Sequence, residues 1–251
     1  MIMKRSTFLA LTFVALGVPS SVRPQAAPAK WADTISMEIE QAQITGDGAR
    51  LDAAAALAGR VAAAFPSDGL IQHYHGYATY RQGILKVGQG KDGSAEFEQA
   101  KSILERSLKT RPLAETHMLL SAIDGQLIAK SPMKAMFLGM ASAASTKDAM
   151  ALGPNNPRVW LLRGQGAIFT PSEYGGGLDV AAEHLKRAIE LFATDAPKPG
   201  EPSWGKAEAY LWLGQVYQKK GDKAKAAELY KTALEISPKY GYAKMLASAL
   251  K

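Results

Sequence analysis

The chain has 251 residues, of which 47% are hydrophobic, and it contains 23 glycines, 13 prolines and no cysteine. This composition excludes a disordered chain, a disulfide-held scaffold and a lipid-modified N-terminal cysteine, and the length is sufficient for one continuous core. The formal net charge is +7, but basic residues are mixed with acidic ones, so no basic stripe indicates nucleic-acid binding.

The N-terminus carries a targeting pattern. Lys4 and Arg5 precede an apolar run over residues 8–18, and small residues and prolines follow. Because this run is shorter than the roughly 20 residues of a membrane-spanning helix, the pattern predicts a signal peptide over residues 1–27. Its candidate cleavage sites follow Ser20, Ala26 and Ala27.

Cleavage would leave one domain, residues 30–251, without a transmembrane span. Lys4, Arg5 and Arg23 would leave with the signal peptide, so subtracting three from +7 gives about +4 for the mature protein. We therefore expect an exported protein, periplasmic in a Gram-negative bacterium or secreted.

Alanine-rich apolar segments follow, and they predict helices. LDAAAALAGRVAAAFP and FEQAKSILERSLKTRP each end on a proline. The second segment places a small residue, Ala100, then Leu104, then the small Ser107 ahead of Pro112. Small residues at that spacing indicate a helix that crosses another at close range, and the proline ends it.

Between these segments, HYHGYATYRQGI has two interpretations. Its tyrosines could pack within the core of a repeat. Alternatively, Tyr77 and Tyr80 could lie with His73 and Arg81 on an inner face, where amphipathic tyrosines would suit a peptide or an elongated ligand. The small position of this helix is either Gly76 or Ala78.

No catalytic, metal or cofactor site is predicted. GQGKDG matches a dinucleotide fingerprint in letters, but a helix precedes it and no strand is predicted, so it is interpreted as a loop. His73 and His75 would point away from each other on a helix and cannot easily share a metal. No segment supplies a nucleophile with its base, so we expect a protein that is not an enzyme.

Residues 166–185, GAIFTPSEYGGGLDVAAEHL, hold an unusually long turn between two helices. Thr170 and Glu173 have the spacing of a capping box with Pro171 at the first helical position, so the insertion is predicted to begin with one helical turn. Either Tyr174 folds back onto its repeat, or the loop forms a binding rim beside the inner face. The rim residues are Tyr174, Gly175, Gly176 and Gly177.

DAPKPGEPSWG, residues 195–205, is predicted to be the loosest joint of the chain because of its prolines, with Trp204 packing to hold it. After it, residues 207–240 repeat the earlier helix-pair pattern most clearly. Gly221 is placed to end the first helix and Asp222 to cap the second.

This last segment resembles a tetratricopeptide repeat over its full 34-residue period. The residues that carry the resemblance are Tyr210, Leu213, Gly214, Tyr217, Ala226, Tyr230, Ala233 and Pro238. Weaker copies upstream include Trp160 and Gly164 after Pro154. We therefore predict an all-α, right-handed solenoid of about five antiparallel helix pairs with a C-terminal capping helix.

A second resemblance covers most of the second half. NPRVWLLRGQ, the Tyr-Gly-Gly-Gly loop, AIELF and PSWG are similar to segments of exported bacterial tetratricopeptide proteins of uncharacterised function. A fainter likeness is to the helical T component of tripartite ATP-independent periplasmic transporters. The resemblance implies a helical-repeat architecture and export.

The predicted function is a non-catalytic periplasmic module that binds an unidentified protein or peptide along its concave face. The alternative is an accessory protein of a transport system that binds a small apolar ligand or lipid in a cavity formed by the tyrosines. The predicted concave-face residues are His73, Tyr77, Tyr80, Arg81, Leu119, Ile123, Leu161, Gln165, Leu211 and Gln215.

Overall fold

The computed structural model describes residues 28–130 and 132–250, and over these residues the chain forms eleven α-helices and two 3-10 turns. The predicted signal peptide, residues 1–27, lies outside the described residues. The helices are α1 (Pro28–Thr45), α2 (Gly48–Ala64), α3 (Gly69–Gly88), α4 (Ser94–Leu108), α5 (Ala114–Lys130), α6 (Ala135–Leu152), α7 (Pro157–Phe169), α8 (Leu178–Phe192), α9 (Lys206–Lys219), α10 (Lys223–Ile236) and α11 (Gly241–Ala249).

Consecutive helices pair as antiparallel hairpins, α1 with α2 through to α9 with α10, and the five pairs stack into a solenoid that α11 caps. The predicted fold class is confirmed. The last repeat also has its predicted ends, because Gly221 has a φ of +86° and the Asp222 side chain accepts a hydrogen bond of 2.9 Å from the Lys225 amide.

Glycines mark the repeat register. A Cβ added to Gly76 would lie 2.5 Å from the Leu104 side chain, and one added to Gly164 would lie 2.5 Å from Leu185. In the last repeat Gly214 makes the equivalent close approach to Tyr230. The small position of α3 is therefore Gly76, because only a residue without a Cβ lets the two helices of a pair approach this closely.

The solenoid closes on itself. Helix α1 packs against α2 and α3, and it also contacts the C-terminal helix α11. The segment between α8 and α9, residues 193–205, crosses the inside of the solenoid and reaches α1 and α3. Tyr74 Oη donates a 3.2 Å hydrogen bond to the Gly200 carbonyl, and the Gly200 amide donates a 2.7 Å bond to Asp33 Oδ1. We call residues 193–205 the inner strap.

The prediction that this segment is the loosest joint is wrong. Buried Arg158 binds Asp195 at its start through a contact of 2.6 Å, and Trp204 near its end is 2% exposed. The prolines exclude a helix here, and the segment turns where the Glu201 amide donates to the Lys198 carbonyl over 2.9 Å. The prediction that Trp204 holds this segment by packing is confirmed.

Candidate functional site

The centre of the inner face is an aromatic stack. The Trp204 ring lies 4.7 Å from the Tyr77 ring at an interplanar angle of 16°, and both side chains are buried. Gly205 follows with a φ of +109°, a conformation that favours glycine, and its Cα lies so close to Leu161 that a Cβ would be 2.8 Å from Leu161 Cδ2. This turn delivers Trp204 into the core at the start of α9.

Beside the stack lies a buried ion pair between the second and fifth repeats. Arg81 Nη2 donates to Glu208 Oε2 over 2.8 Å, and Arg81 Nη1 donates to Glu208 Oε1 over 3.2 Å. Gln165 Nε2 and Trp212 Nε1 also donate to Glu208 Oε1, over 3.0 and 3.3 Å. Burial disfavours the carboxylate, yet the charge and hydrogen bonds of Arg81 outweigh it and hold the pKa of Glu208 below its usual value.

A second carboxyl group lies nearby. Burial raises the pKa of Glu40, and the negative charge of Glu208 raises it further. Glu40 and Glu208 line a cavity of about 20 Å³ together with Gln43 and Tyr240. A cavity of this size holds about one water molecule, so it is a polar contact between α1 and the last repeat rather than a ligand pocket.

The predicted concave-face residues do not line an open groove, and the structure brings only some of them together. Leu211 packs in a second apolar cluster with Tyr240, and Gln215 accepts a 3.4 Å hydrogen bond from Tyr242. One apolar core contains Tyr77, Tyr80, Leu119, Ile123 and Leu161. Gln165 and Gln215 are partly exposed. The buried members are His73, Tyr77, Tyr80, Arg81, Leu119, Ile123, Leu161 and Leu211. The expectation of an accessible face is wrong for these eight residues. Trp204 of the inner strap stacks on Tyr77, Arg81 pairs with Glu208, and His73 contacts Thr116. The apolar cavity that would have favoured a small ligand at Tyr77 and Tyr80 is filled by Trp204 and Arg81.

His73 is a packed core residue. Its Nδ1 lies 2.8 Å from Thr116 Oγ1, and burial, aided by the charge of Arg111, lowers its pKa to about 3. The imidazole is therefore neutral at physiological pH. Within residues 28–130 and 132–250, no three histidine, cysteine, aspartate or glutamate side chains come together as metal ligands do, and none of the helices there is long and apolar enough to span a membrane.

The long turn has a rigid backbone and an exposed aromatic tip. It forms a 3-10 turn, Ser172–Tyr174, after which the Gly176 amide donates to the Pro171 carbonyl over 3.1 Å and the Gly177 amide donates to the Ala167 carbonyl over 2.8 Å. One helical turn was correctly predicted. The capping box is wrong, since no side chain caps this turn and the Thr170 hydroxyl donates back to the Gly166 carbonyl over 3.0 Å.

Tyr174 does not fold back onto its repeat, because 78% of its surface is exposed. Phe169, which ends α7 just before the turn, is 69% exposed and meets Trp212 edge-on at 6.2 Å. Gly175 and Gly177 have φ values of +79° and +102° and permit this shape. These residues form an exposed surface, which we call the aromatic rim and define as Phe169, Tyr174 and Gly175–Gly177. That the predicted rim residues bind a partner stays a prediction.

Sequence reasoning missed a second exposed apolar surface on α6. Met133 is 95% exposed and Phe137 is 71% exposed, and Met136 and Met140 are exposed beside them. Only Ala149 of α6 is buried. The signal was the run AMFLGM, which is more continuously apolar than a helix with one buried face requires.

Comparison with known proteins agrees with this architecture. A tetratricopeptide repeat family profile matches residues 207–240. Residues 207–240 are a tetratricopeptide repeat. Comparison with curated protein sequences gave no match. The likeness to the T component of tripartite transporters stays a prediction.

Two solved structures show the same fold. The HusA haemophore from Porphyromonas gingivalis is 24% identical, with a TM-score of 0.61 over 77% of this chain and 94% of that chain. TTC0263, a thermophilic tetratricopeptide protein of Thermus thermophilus, is 19% identical, with a TM-score of 0.63 over 89% of this chain and 98% of that chain. The tetratricopeptide solenoid is a scaffold for protein interaction.

Proposed function

We propose that this protein is an exported, non-catalytic module that binds a protein or peptide through the aromatic rim. The observation that carries the proposal is the exposure of Tyr174 on a loop whose backbone is fixed by its own hydrogen bonds. The inner face, which tetratricopeptide solenoids otherwise offer to partners, is occupied here by the inner strap.

The rim has the properties of a binding hot spot. Aromatic side chains supply a large contact area with few rotatable bonds, and a rigid loop loses little entropy when a partner binds. Trp212 is partly buried against Phe169, so the edge of the repeat continues the apolar surface of the rim. A partner would pack apolar or aromatic side chains against Phe169 and Tyr174.

Export is supported by the basic, apolar and small-residue order of the first 27 residues. N-terminal sequencing of the protein recovered from the host's periplasm or medium tests it. Cleavage after Ser20, Ala26 or Ala27 is expected, and an intact N-terminus in a cytoplasmic fraction would overturn this part of the proposal.

Cross-linking in the host, followed by quantitative mass spectrometry, tests the rim. The test protein carries Phe169→Ala and Tyr174→Ala, and the control carries Met37→Ala, which removes a side chain that is 53% exposed on α1. We expect specific polypeptides to be captured by the wild type and the control and lost from the rim variant. The free energy of unfolding should change by no more than roughly 0.5 kcal/mol, as for a surface substitution.

Equal capture by all three proteins would overturn the rim as the binding surface. Native mass spectrometry of the exported protein tests the alternative function. A discrete small-molecule mass in place of a polypeptide would favour a ligand-binding accessory protein of a transport system.

A further inference from the structure

Helix α6 presents an uninterrupted exposed stripe. Six of the exposed positions in α6 and the turn before it recur at alternating steps of four and three residues, which is the spacing of a helix–helix seam. These positions are Met133, Phe137, Met140, Ala144, Lys147 and Ala151. Met133 belongs to the 3-10 turn, Pro132–Lys134, that leads into α6.

The stripe is uncovered because α6 packs mainly against one neighbouring helix, α5. Its partner is α5, through hydroxyl contacts in which Ser121 Oγ lies 2.8 Å from Ser142 Oγ and 2.9 Å from Thr146 Oγ1. Toward the next repeat, Arg163 Nη1 lies 3.5 Å from Met150 Sδ, near the end of α6. The other second helices of the internal repeats, α4 and α8, pack broadly on the helix that follows, whereas α6 barely touches α7.

The two halves of the stripe differ in size. The N-terminal half carries methionine and phenylalanine side chains, whereas alanines and the aliphatic stem of Lys147 form the C-terminal half. In an antiparallel twofold pairing of α6 with α6 of a second copy, Met140 lies over Ala144 and Met133 over Ala151. Phe137 then lies over Lys147, where cation–π contact is favourable. The two methionines therefore lie over alanines, where the small residue leaves space for the large one.

The charged residues Lys134 and Asp148 are also complementary in this antiparallel pairing. Lys134 and Asp148 lie near opposite ends of α6, about 21 Å apart at 1.5 Å per residue. The antiparallel pairing brings Lys134 of one copy close to Asp148 of the other, twice per dimer, and it also opposes the helix dipoles. A parallel pairing would place Lys134 against Lys134 and leave the alanine half unfilled.

We propose that the exposed stripe of α6 is a homodimer interface in which two copies pair antiparallel about a twofold axis. The exposed side chains of the stripe offer on the order of 500 Å² per copy, so the pair covers about 1,000 Å², the lower bound for a specific interface. The isologous geometry uses the same patch on both copies and leaves no open end. The aromatic rim is not part of the stripe, so this interface does not depend on the proposed function.

Sedimentation equilibrium tests the dimer with the full protein as purified. We expect a monomer–dimer equilibrium in the wild type and in Met37→Glu, the matched control for an added charge at an exposed methionine. Met140→Glu should weaken the dimer by about tenfold or more, because it places a carboxylate over Ala144, beside the twofold axis. Far-ultraviolet circular dichroism confirms that each variant is folded.

A charge exchange tests the register. Lys134→Glu alone and Asp148→Lys alone should each weaken association, and the double variant should recover it. If the double variant associates as weakly as the sum of the two single effects predicts, the antiparallel register is overturned.

Cysteine cross-linking tests the direction, since the chain has no cysteine of its own. Positions 133 and 151 lie about 27 Å apart along one helix. The double variant Met133→Cys/Ala151→Cys should therefore oxidise to a covalent dimer, whereas neither single variant should. Cross-linking of the single variants would overturn the antiparallel arrangement.

A monomer at about 500 μM protein would overturn the proposal. So would a monomer that sediments with vesicles containing anionic phospholipid and loses this binding on Met140→Glu, because the stripe would then be a lipid-facing surface.

Discussion

The inner face of the solenoid and the exposed stripe of α6 carry similar apolar and aromatic residues, but the first is buried and the second is exposed. Tyr77 and Trp204 are buried on the inside, while Phe137 and Met140 stand exposed on the outside. The difference does not come from the side chains themselves. It comes from coverage, because the inner strap and α1 close one surface and no described element closes the other. In a solenoid, the identity of the binding face therefore depends on the connecting segments as much as on the repeats.

The largest effect should come from removing the centre of the covered face. Trp204→Ala should lower the free energy of unfolding by about 3–5 kcal/mol, because it deletes a buried aromatic ring that stacks on Tyr77. Urea denaturation measures it, and Tyr174→Ala is the exposed aromatic control, with a change below about 0.5 kcal/mol. Similar losses for both variants would abolish the contrast between covered and exposed surfaces.

The buried ion pair gives an effect of comparable size. Arg81→Met should cost about 3–5 kcal/mol of unfolding free energy, because it leaves the Glu208 carboxylate buried without its cation. Arg81→Met with Glu208→Met should recover a substantial part of the loss. A double variant as unstable as the sum of the single variants would mean that the two residues do not act as a pair.

Acid should weaken the covered face through His73. The folded protein holds the pKa of this histidine at about 3, below its ordinary value of 6.5, so the stabilisation from the neutral ring is complete above pH 6.5. It is lost by about 1.4 kcal/mol per pH unit as the pH falls from 6.5 toward 3. Unfolding free energies of the wild type and of His73→Gln between pH 7 and pH 4 measure it. The difference in unfolding free energy between the two proteins should become smaller on acidification. A difference that does not change with pH would contradict the buried neutral ring.

A smaller effect of opposite sign is expected at Glu40. Burial and the charge of Glu208 raise its pKa, so its contribution to folding is most favourable when it is protonated and declines as the pH rises through the folded value. Glu40→Gln should therefore stabilise the protein at pH 7 by up to about 1 kcal/mol. This gain should vanish below pH 4.5, and Glu38→Gln, which breaks an ion pair with Arg50 instead, should be destabilising at pH 7.

The repeat architecture could be predicted from local signals, because each tetratricopeptide position depends on residues within one period. Gly214 and Tyr230 contact each other within a single helical hairpin, so their spacing in the sequence predicts the contact. The signal fails where contacts join distant repeats. Arg81 and Glu208 lie 127 positions apart, and no periodicity relates them.

The candidate site was therefore only partly predictable. The long turn was recognised from its length and glycines, yet the direction of Tyr174 depends on backbone hydrogen bonds to Pro171 and Ala167. The α6 stripe was missed because apolar residues in a helix ordinarily indicate a buried face. Its exposure arises from the loose packing of α6 toward α7, which is a property of neighbouring elements.

The contact between α1 and the inner strap has a consequence for how the chain acquires its structure. Open repeat arrays can fold progressively, each unit on its predecessor. Here the hydrogen bond to Asp33 comes from Gly200, which lies 167 positions later in the chain. If the chain crosses a membrane N-terminus first, α1 emerges long before the strap that it binds. Pairing over such a distance slows folding, and the Tyr77 ring stays uncovered until Trp204 has been delivered.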